Sequence, residues 1–196
     1  MSGRPPALVV LAGPNGAGKS TAAPILIRDT LGIKDFVNAD VIARGLSGFA
    51  PETAALAAGR VMLTRLHQLA ARRVDFAFET TLAGRSYAPW IAQAKADGYE
   101  FHLVYLWVPS AETSIGRIAE RVAHGGHDVD DETVRRRYRS SMANFHLLYR
   151  PLADTWKLYD NSEGTIPRLV AWGESSDEHI SDRLVWRASL RDAGVG

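Results

Sequence analysis

The chain has 196 residues, of which 46% are hydrophobic and 23% are charged. These proportions are close to the averages of globular proteins and exclude long disordered, collagen-like or low-complexity regions. The 23 basic and 22 acidic residues leave a net charge of +1, so no overall field would attract nucleic acid or an acidic membrane surface. The length predicts a single domain over residues 1–196.

The sequence contains no cysteine. This excludes disulfides, thiolate metal sites and a cysteine nucleophile, and it agrees with a reducing compartment, so we expect a cytoplasmic protein. The longest apolar stretch near the N-terminus, residues 7–12, is far shorter than the ~20 residues of a membrane span, and its flanks do not resemble a signal peptide. We therefore expect neither export nor membrane association.

Strand-like and helix-like segments alternate along the chain. A continuous apolar run predicts a buried strand at residues 7–12, and a helix should follow to about residue 28, in which Pro24 should cause a kink or remove a hydrogen bond. Further strands are predicted at residues 36–40, 74–78, 101–108, 156–159 and 169–172. Helices are predicted at residues 53–71, 87–96, 110–123, 131–145 and 177–190.

This alternation predicts an α/β fold with a central parallel sheet of about five strands and helices on both faces. Ligands of such folds bind at the carboxyl ends of the strands. Three of the helices have a predicted apolar face at helical spacing. These faces are Leu56, Gly59, Leu63, Leu66 and Ala70 in the helix at 53–71, Ile115, Ile118 and Val122 in the helix that Ser110 caps, and Val134, Tyr138, Met142 and Phe145 in the helix that follows.

A glycine-rich loop follows the first predicted strand. Residues 13–20 match the pattern G-x-x-x-x-G-K-[ST] at every fixed position, between a predicted strand and a predicted helix. Glycines allow backbone N–H groups to surround an anion, and the start of a helix adds partial positive charge. The motif predicts a P-loop that binds ATP, in which Lys19 reaches the β- and γ-phosphates and the Ser20 hydroxyl is a Mg²⁺ ligand. The predicted nucleotide-binding residues are Gly13, Asn15, Gly16, Ala17, Gly18, Lys19, Ser20 and Thr21.

Part of the same loop also resembles a dinucleotide-binding motif. Gly16 and Gly18 are followed about twenty residues later by Asp40, where that motif has its ribose-binding acid. However, Thr21 replaces the third glycine, and the motif has no use for Lys19. The triphosphate interpretation is therefore preferred.

Two acids follow predicted strands. Asp40 comes after residues 36–39 and Glu79 after residues 74–78, and a parallel sheet would bring both to the edge where the P-loop lies. Phosphoryl transfer needs a group that orients the acceptor hydroxyl, and a carboxylate commonly does this. Taken singly, either acid is equally typical of a helix cap or a solvated loop. Glu79 has a further alternative role, because an acid at this position often holds a magnesium-bound water.

Residues 110–148 are predicted to form a helical lid with a break at Gly125-Gly126. The lid carries two groups of arginines that could close over the triphosphate: Arg117 and Arg121, then Arg135, Arg136, Arg137 and Arg139. The alternatives are a solvated helix face or a small nucleic-acid patch. His124 and His127 have a spacing that suggests a metal site, but a polar loop is the preferred interpretation.

Several motifs together resemble the zeta toxin family, over about residues 7–173. The motifs are Gly13 to Thr21, Asn38-Ala39-Asp40, Phe78-Glu79-Thr80-Thr81-Leu82, Gly125-Gly126-His127-Asp128, Arg136-Arg137-Tyr138 and Tyr159-Asp160-Asn161-Ser162. Zeta toxins are P-loop kinases that use ATP and Mg²⁺ to phosphorylate a hydroxyl of UDP-N-acetylglucosamine. The resemblance implies a P-loop kinase domain, a UDP-sugar as small-molecule substrate and an antitoxin protein as partner.

The resemblance also implies roles for individual residues. Asp40 would be the base at the sugar hydroxyl, and Glu79 and Thr81 would hold the sugar nucleotide. Arg121 matches the first lid arginine of the family. The second falls within Arg135 to Arg137, and Arg136 is the predicted residue.

Two other functions are weighed against this one. A metabolic kinase that acts on nucleotides or small alcohols would use the same loop and the same acids. A nucleotide-dependent switch or a nucleic-acid-associated ATPase is less favoured, because only the arginine-rich segment supports it.

Overall fold

A computed structural model describes residues 4–126, 128–163, 166–174 and 177–195, with the backbone alone at residues 51 and 52. In these ranges the chain forms one seven-stranded sheet in the order β2-β3-β1-β4-β5-β6-β7. The first five strands in sequence are mutually parallel where they pair, and the last two are antiparallel. The strands are β1 Ala7–Ala12, β2 Asp35–Val37, β3 Phe76–Thr80, β4 Glu100–Trp107, β5 Thr155–Asp160, β6 Arg168–Glu174 and β7 Asp177–Ile180.

Helices connect the parallel strands, as the alternating pattern predicts. They are α1 Lys19–Ala23, α2 Ala39–Leu46, α3 Ala55–Ala71, α4 Tyr87–Ala96, α5 Ala111–Ala123, α6 Asp131–Asn144 and α7 Arg183–Asp192. Helix α1 continues as a π-helical segment, Pro24–Asp29, and α6 continues as another, Phe145–Tyr149. Short 3₁₀ turns occur at Pro51–Ala54 and Arg150–Leu152.

Strand β1 lies at the centre of the parallel part of the sheet. All six of its residues are buried, which explains its continuous apolar sequence. Its neighbours are β3 and β4, and the register places Ala12 beside Thr80 on one side and beside Tyr105 on the other. The carboxyl ends of these strands therefore meet where the P-loop leaves β1.

The prediction for α6 is confirmed. Its predicted inward residues Val134, Tyr138, Met142 and Phe145 are all at most 5% exposed. The C-terminal half of α6 is therefore part of the hydrophobic core.

The prediction that residues 36–40 form a strand is wrong after Val37. Helix α2 begins at Ala39, because the Asn38 side chain accepts hydrogen bonds from the backbone N–H groups of Asp40 and Val41 and so caps the helix. Asp40 consequently lies in the first turn of a helix.

The predicted inward face of α3 is also wrong in part. Leu66 is fully buried, but Leu56 is 84% exposed and Leu63 is 45% exposed, and Ala58 and Met62 are buried in their place. Apolar residues occur on more than one face of this helix, so spacing alone does not fix which face packs inward.

Two further local differences have clear causes. Pro24 is accommodated by the π-helical segment that begins at it, since the ring removes a backbone donor from the helix. The predicted terminal helix at 177–190 begins later than expected, because Asp177–Ile180 pairs with β6 and Asp182 caps α7 through the N–H groups of Leu184 and Val185.

Within the described ranges, no helix is long and apolar enough to cross a membrane.

Candidate active site

A cavity of about 910 Å³ opens at the carboxyl edge of the parallel strands. Its walls come from the P-loop and α1, the end of β3 and the loop after it, the residues that follow β5, and helices α2 to α6. The predicted site residues that line it are Asn15, Gly16, Gly18, Lys19, Ser20, Thr21, Asp40, Glu79, Thr81 and Arg121. The topology thus brings most of the predicted residues to one place.

The remaining P-loop residues, Gly13 and Ala17, lie beneath the cavity surface. Gly13 has a φ of +145°, and a Cβ there would lie 2.4 Å from the carbonyl oxygen of Leu106 in β4. Only glycine fits at this position, since the loop passes directly over the neighbouring strand. Ala17 is fully buried.

Lys19 is held inside the P-loop. Its Nζ donates hydrogen bonds to the carbonyl oxygens of Gly13 at 2.9 Å and Pro14 at 3.0 Å, and it lies 3.9 Å from Oε1 of Glu79. The side chains of Lys19 and Glu79 are only 8% and 9% exposed. Burial lowers the pKa of the Lys19 ammonium, the charges of Glu79 and Asp40 oppose this shift, and Arg121 adds to it.

Glu79, Ser20 and Asn38 form a hydrogen-bonded cluster beside Lys19. The Ser20 hydroxyl donates to the Glu79 carboxylate at 2.9 Å, and Asn38 Nδ2 donates to the same carboxylate at 2.7 Å. Hydroxyl and carboxylate oxygens are the ligands that Mg²⁺ prefers, and nucleotide-bound Mg²⁺ typically takes few ligands from the protein. The donor set of Ser20 and Glu79 therefore fits Mg²⁺.

Asp40 faces the cavity from the first turn of α2 and is exposed. Its backbone N–H is bound by Asn38 Oδ1 at 2.7 Å, and the amide of the same side chain contacts Glu79. Asn38 therefore fixes the start of α2 relative to β3 and the P-loop. This arrangement agrees with the expectation that Asp40 and Glu79 lie close to each other near the P-loop.

The predicted lid arginines occupy different environments. Arg121 and Arg137 line the cavity. Arg136 is exposed, is not among the cavity-lining residues, and donates to the Thr133 hydroxyl at 3.4 Å. The structure therefore brings Arg137, and not the predicted Arg136, to the cavity. Arg135 pairs with Glu112 on α5.

Arg117 lines the cavity as well, but its guanidinium is bound by backbone groups. It donates to the carbonyl oxygen of Ser162 at 2.6 Å and to that of Gly16 at 3.5 Å. Arg117 thus links α5 to the P-loop and to the end of β5.

The histidine spacing finds no support as a metal site. His124 Nδ1 lies 2.7 Å from the backbone oxygen of Glu120, and His127 lies outside the described residues. In the described part of the chain, no group of three His, Cys, Asp or Glu side chains could hold a metal ion.

Sequence reasoning missed two asparagines that organise the site. Asn38 was assigned to a strand, although asparagine just before a carboxylate and an apolar run is a typical helix N-cap. Asn161 is 4% exposed and its Nδ2 donates to the carbonyl oxygen of Ala17 at 2.8 Å. No local signal in the sequence identifies a contact between residues so far apart.

Known proteins resemble the chain in sequence and in structure. An uncharacterized protein of Haemophilus influenzae is 31% identical over 126 residues, which are 64% of this chain and 88% of that protein. The structure of AvrRxo1-ORF1:ORF2 with ATP has a TM-score of 0.71 and 14% identity, and covers 94% of this chain and 63% of that one. The PezAT toxin-antitoxin system of Streptococcus pneumoniae has a TM-score of 0.62 and 16% identity, with 82% and 70% coverage.

The present chain thus spans less than two thirds of the AvrRxo1 chain. At these identities the structural similarity shows the fold alone, a mixed α/β architecture with a mostly parallel central sheet. The model of the AAA domain family AAA_33 matches residues 8–145, which include the P-loop and the cavity residues Asp40, Glu79, Arg121 and Arg137. The chain therefore belongs to the AAA_33 family of AAA domains.

Proposed function

We propose that the protein is an ATP-dependent kinase that transfers the γ-phosphate to a hydroxyl of a small molecule. One observation carries the proposal. Asp40 on α2 shares a single cavity with a complete P-loop, whose Lys19 and Ser20 lie against Glu79. A P-loop alone would serve any nucleotide-binding protein, whereas an exposed carboxylate facing it provides a base for an acceptor hydroxyl.

The P-loop amides and Lys19 would bind the triphosphate. Ser20 and Glu79 would hold Mg²⁺, which neutralises charge on the β- and γ-phosphate oxygens when it is bound. The contact between Glu79 and Ser20 favours this role for Glu79 over binding of the sugar nucleotide, the two roles that the sequence left open.

Asp40 would accept the proton of the acceptor hydroxyl while that oxygen forms its bond to the γ-phosphorus. The bond from the γ-phosphorus to the bridging oxygen breaks at the same time, and ADP leaves. Arg121 and Arg137 would stabilise the charge on the transferred group. Arg137 replaces Arg136 in this role because Arg137 faces the cavity.

The proposed acceptor is a UDP-activated sugar such as UDP-N-acetylglucosamine. The zeta-like motifs and the similarity of the fold to PezAT support this choice, and Thr81 lines the cavity where an acceptor would lie. The same similarities support an antitoxin protein as partner.

The experiment that tests the proposal is a substrate panel. Purified protein is incubated with ATP, Mg²⁺ and single UDP-sugars, nucleotides or small alcohols, and phosphorylated products are identified by mass spectrometry. We expect a UDP-sugar to gain one phosphate. Phosphorylation of nucleotides or alcohols alone would replace the proposed acceptor, and hydrolysis of ATP with no acceptor product would overturn the kinase assignment.

A further inference from the structure

The loop between β3 and α4 is held by side chains of a single neighbouring helix. The backbone carbonyl oxygens of four consecutive residues, 81 to 84, each accept a hydrogen bond from it. Ser141 donates to Thr81, and Asn144 Nδ2 donates to Leu82 at 2.7 Å and more weakly to Ala83 at 3.3 Å. The fourth hydrogen bond comes from the hydroxyl of Tyr149, which donates to the carbonyl oxygen of Gly84 at 2.9 Å.

The three donor side chains are buried. Ser141 and Tyr149 have no exposed surface, and Asn144 is 4% exposed. Asn144 Oδ1 also accepts a hydrogen bond from Arg85 Nε at 3.2 Å, so this one amide binds three loop residues. Because a buried polar group that loses its partner is costly, each of these bonds strongly favours the observed loop conformation.

The loop needs such support. Residues 81 to 86 belong to no helix or strand. The partners of its backbone N–H groups are close in sequence: Leu82 N–H donates to the Thr80 hydroxyl, and Ala83 N–H to the Thr81 hydroxyl. Leu82 is fully buried and has a φ of +54°, a left-handed conformation that leucine rarely adopts. Such a strained residue persists only where its surroundings fix it.

The supported loop forms part of the cavity wall. Thr81, Ala83 and Gly84 line the cavity, and so does Arg137, two turns before Asn144 on the same helix. Helix α6 therefore carries a cavity arginine at its middle and holds the loop near its C-terminal end.

We propose that Asn144, together with Ser141 and Tyr149, positions the loop 81–85 as an acceptor-binding wall and ties it to the helix that carries Arg137. Asn144 is a positioning residue, since it touches the loop and does not line the cavity. That the loop contacts an acceptor rests on the proposed kinase function. That Asn144 positions the loop is independent of that function.

Hydrogen–deuterium exchange of the free protein tests the positioning without any acceptor. The variants are Asn144→Ala, Ser141→Ala and Tyr149→Phe, and the last removes only one hydroxyl, so its folding is secure. Matched controls remove equally buried hydrogen bonds elsewhere. Ser189 is a fully buried serine that donates to Trp186 and lies 3.1 Å from His146 Nε2. The Tyr138 hydroxyl lies within hydrogen-bond distance of the carbonyl oxygen of Val108 and the carboxylate of Asp192.

We expect peptides that cover residues 80–86 to exchange about tenfold faster in the three variants, which is the change expected for one lost net hydrogen bond. Peptides from the P-loop should keep their rates. In Ser189→Ala and Tyr138→Phe the loop should exchange as in the parent protein. If the loop exchanged at the same rate in Tyr149→Phe as in Tyr138→Phe, the proposal that α6 side chains position the loop would be wrong.

A second measurement addresses the acceptor. The affinity for the non-hydrolysable analogue β,γ-imido-ATP should stay within about twofold in Tyr149→Phe and Asn144→Ala, because the P-loop is untouched. With the acceptor that gains phosphate in the substrate panel, KM should rise about tenfold and kcat should change less. A fall in kcat at constant KM would refute the acceptor wall. If the panel yields no product, the kinase proposal fails, while the exchange data still decide whether Asn144 positions the loop.

Discussion

Gly18 and Asn161 are in direct contact, although 143 positions separate them in sequence. A Cβ on Gly18 would lie 2.5 Å from Nδ2 of Asn161, which donates its hydrogen bond to the carbonyl oxygen of Ala17 at 2.8 Å. Gly18 also has a φ of +80°, immediately before the first residue of α1. Gly18 is thus required for two reasons. The turn needs a positive φ, and the side chain of Asn161, which follows β5, leaves no room for a Cβ.

We predict that Gly18→Ala lowers ATP affinity by at least about tenfold, since both the backbone and Asn161 must move. Isothermal titration with β,γ-imido-ATP measures this. Gly32→Ala is the matched control, because Gly32 has a φ of +68° but no atom within 4 Å of its Cβ position. That variant should lose about 1 kcal/mol of stability and keep its affinity. Unchanged affinity in Gly18→Ala would contradict the contact.

Asp40→Asn should retain nucleotide affinity and lose phosphoryl transfer by a factor of about 10² to 10⁴, because the amide cannot accept the hydroxyl proton. Transfer is followed as acceptor product, and affinity by the same titration. Asp35→Asn serves as the control, since Asp35 pairs with Arg65 at a half-exposed position and does not line the cavity. If Asp40→Asn transferred phosphate at the parent rate, Asp40 would not be the base.

Arg137→Ala should lower kcat by a factor of about 10² to 10³, which is typical for the loss of one group that stabilises charge in the transition state. Arg136→Ala should leave kcat within about twofold, because Arg136 is exposed outside the cavity. Steady-state kinetics at saturating ATP distinguish the two neighbours. The reverse ranking would restore the assignment made from sequence.

Glu79→Gln should raise the Mg²⁺ concentration needed for half-maximal rate, since the amide is a weaker magnesium ligand than the carboxylate. Glu120→Gln, a change of the same kind at another cavity acid, controls for the loss of charge alone. If Glu79→Gln changed only the acceptor KM, Glu79 would bind the substrate instead.

A buried histidine predicts a pH dependence of stability. His146 is 3% exposed, its Nδ1 has no hydrogen-bond partner, and burial lowers its pKa from 6.5 to about 3, with a further contribution from Arg150. The unfolded chain therefore binds a proton at this histidine from about pH 6.5 downwards, whereas the folded protein does not. Its contribution is fully favourable above pH 6.5 and is lost as the pH falls towards 3.

The comparison variant is His146→Phe, because the ring contacts with Phe145 and Trp186 can persist. Between about pH 7 and pH 5, the parent protein should lose about 2 kcal/mol of stability more than this variant. Urea unfolding at several pH values measures the difference. Parallel curves for the two proteins would show that His146 does not titrate in this way.

Local patterns sufficed for the P-loop and for the parallel strands other than β2, which ends at Val37. Their signals are contained in a few neighbouring residues, such as the apolar run before Gly13 and the lysine after Gly18. The meeting of Asp40 and Glu79 followed from a general property of parallel sheets. The inward face of α6 was likewise predicted, because its apolar residues occupy one side only.

What the sequence did not reveal depends on contacts between distant segments. The contacts of Asn161 with Ala17 and of Asn144 with Leu82 join residues more than sixty positions apart. The choice between Arg136 and Arg137 depends on the rotation of α6, which packing determines. Packing also determines which face of α3 turns inward, and Leu56 is exposed although its spacing predicts a buried position.

The two-sided use of the Asn38 amide has an evolutionary consequence. One end of the group caps helix α2 at Asp40 and the other donates to Glu79, so the distance between Asp40 and Glu79 is set before the helix has completed a turn. Val41 and Leu46 of the same helix are 54% and 52% exposed. Substitutions at these two positions can therefore accumulate in evolution while the capped start of the helix stays in place.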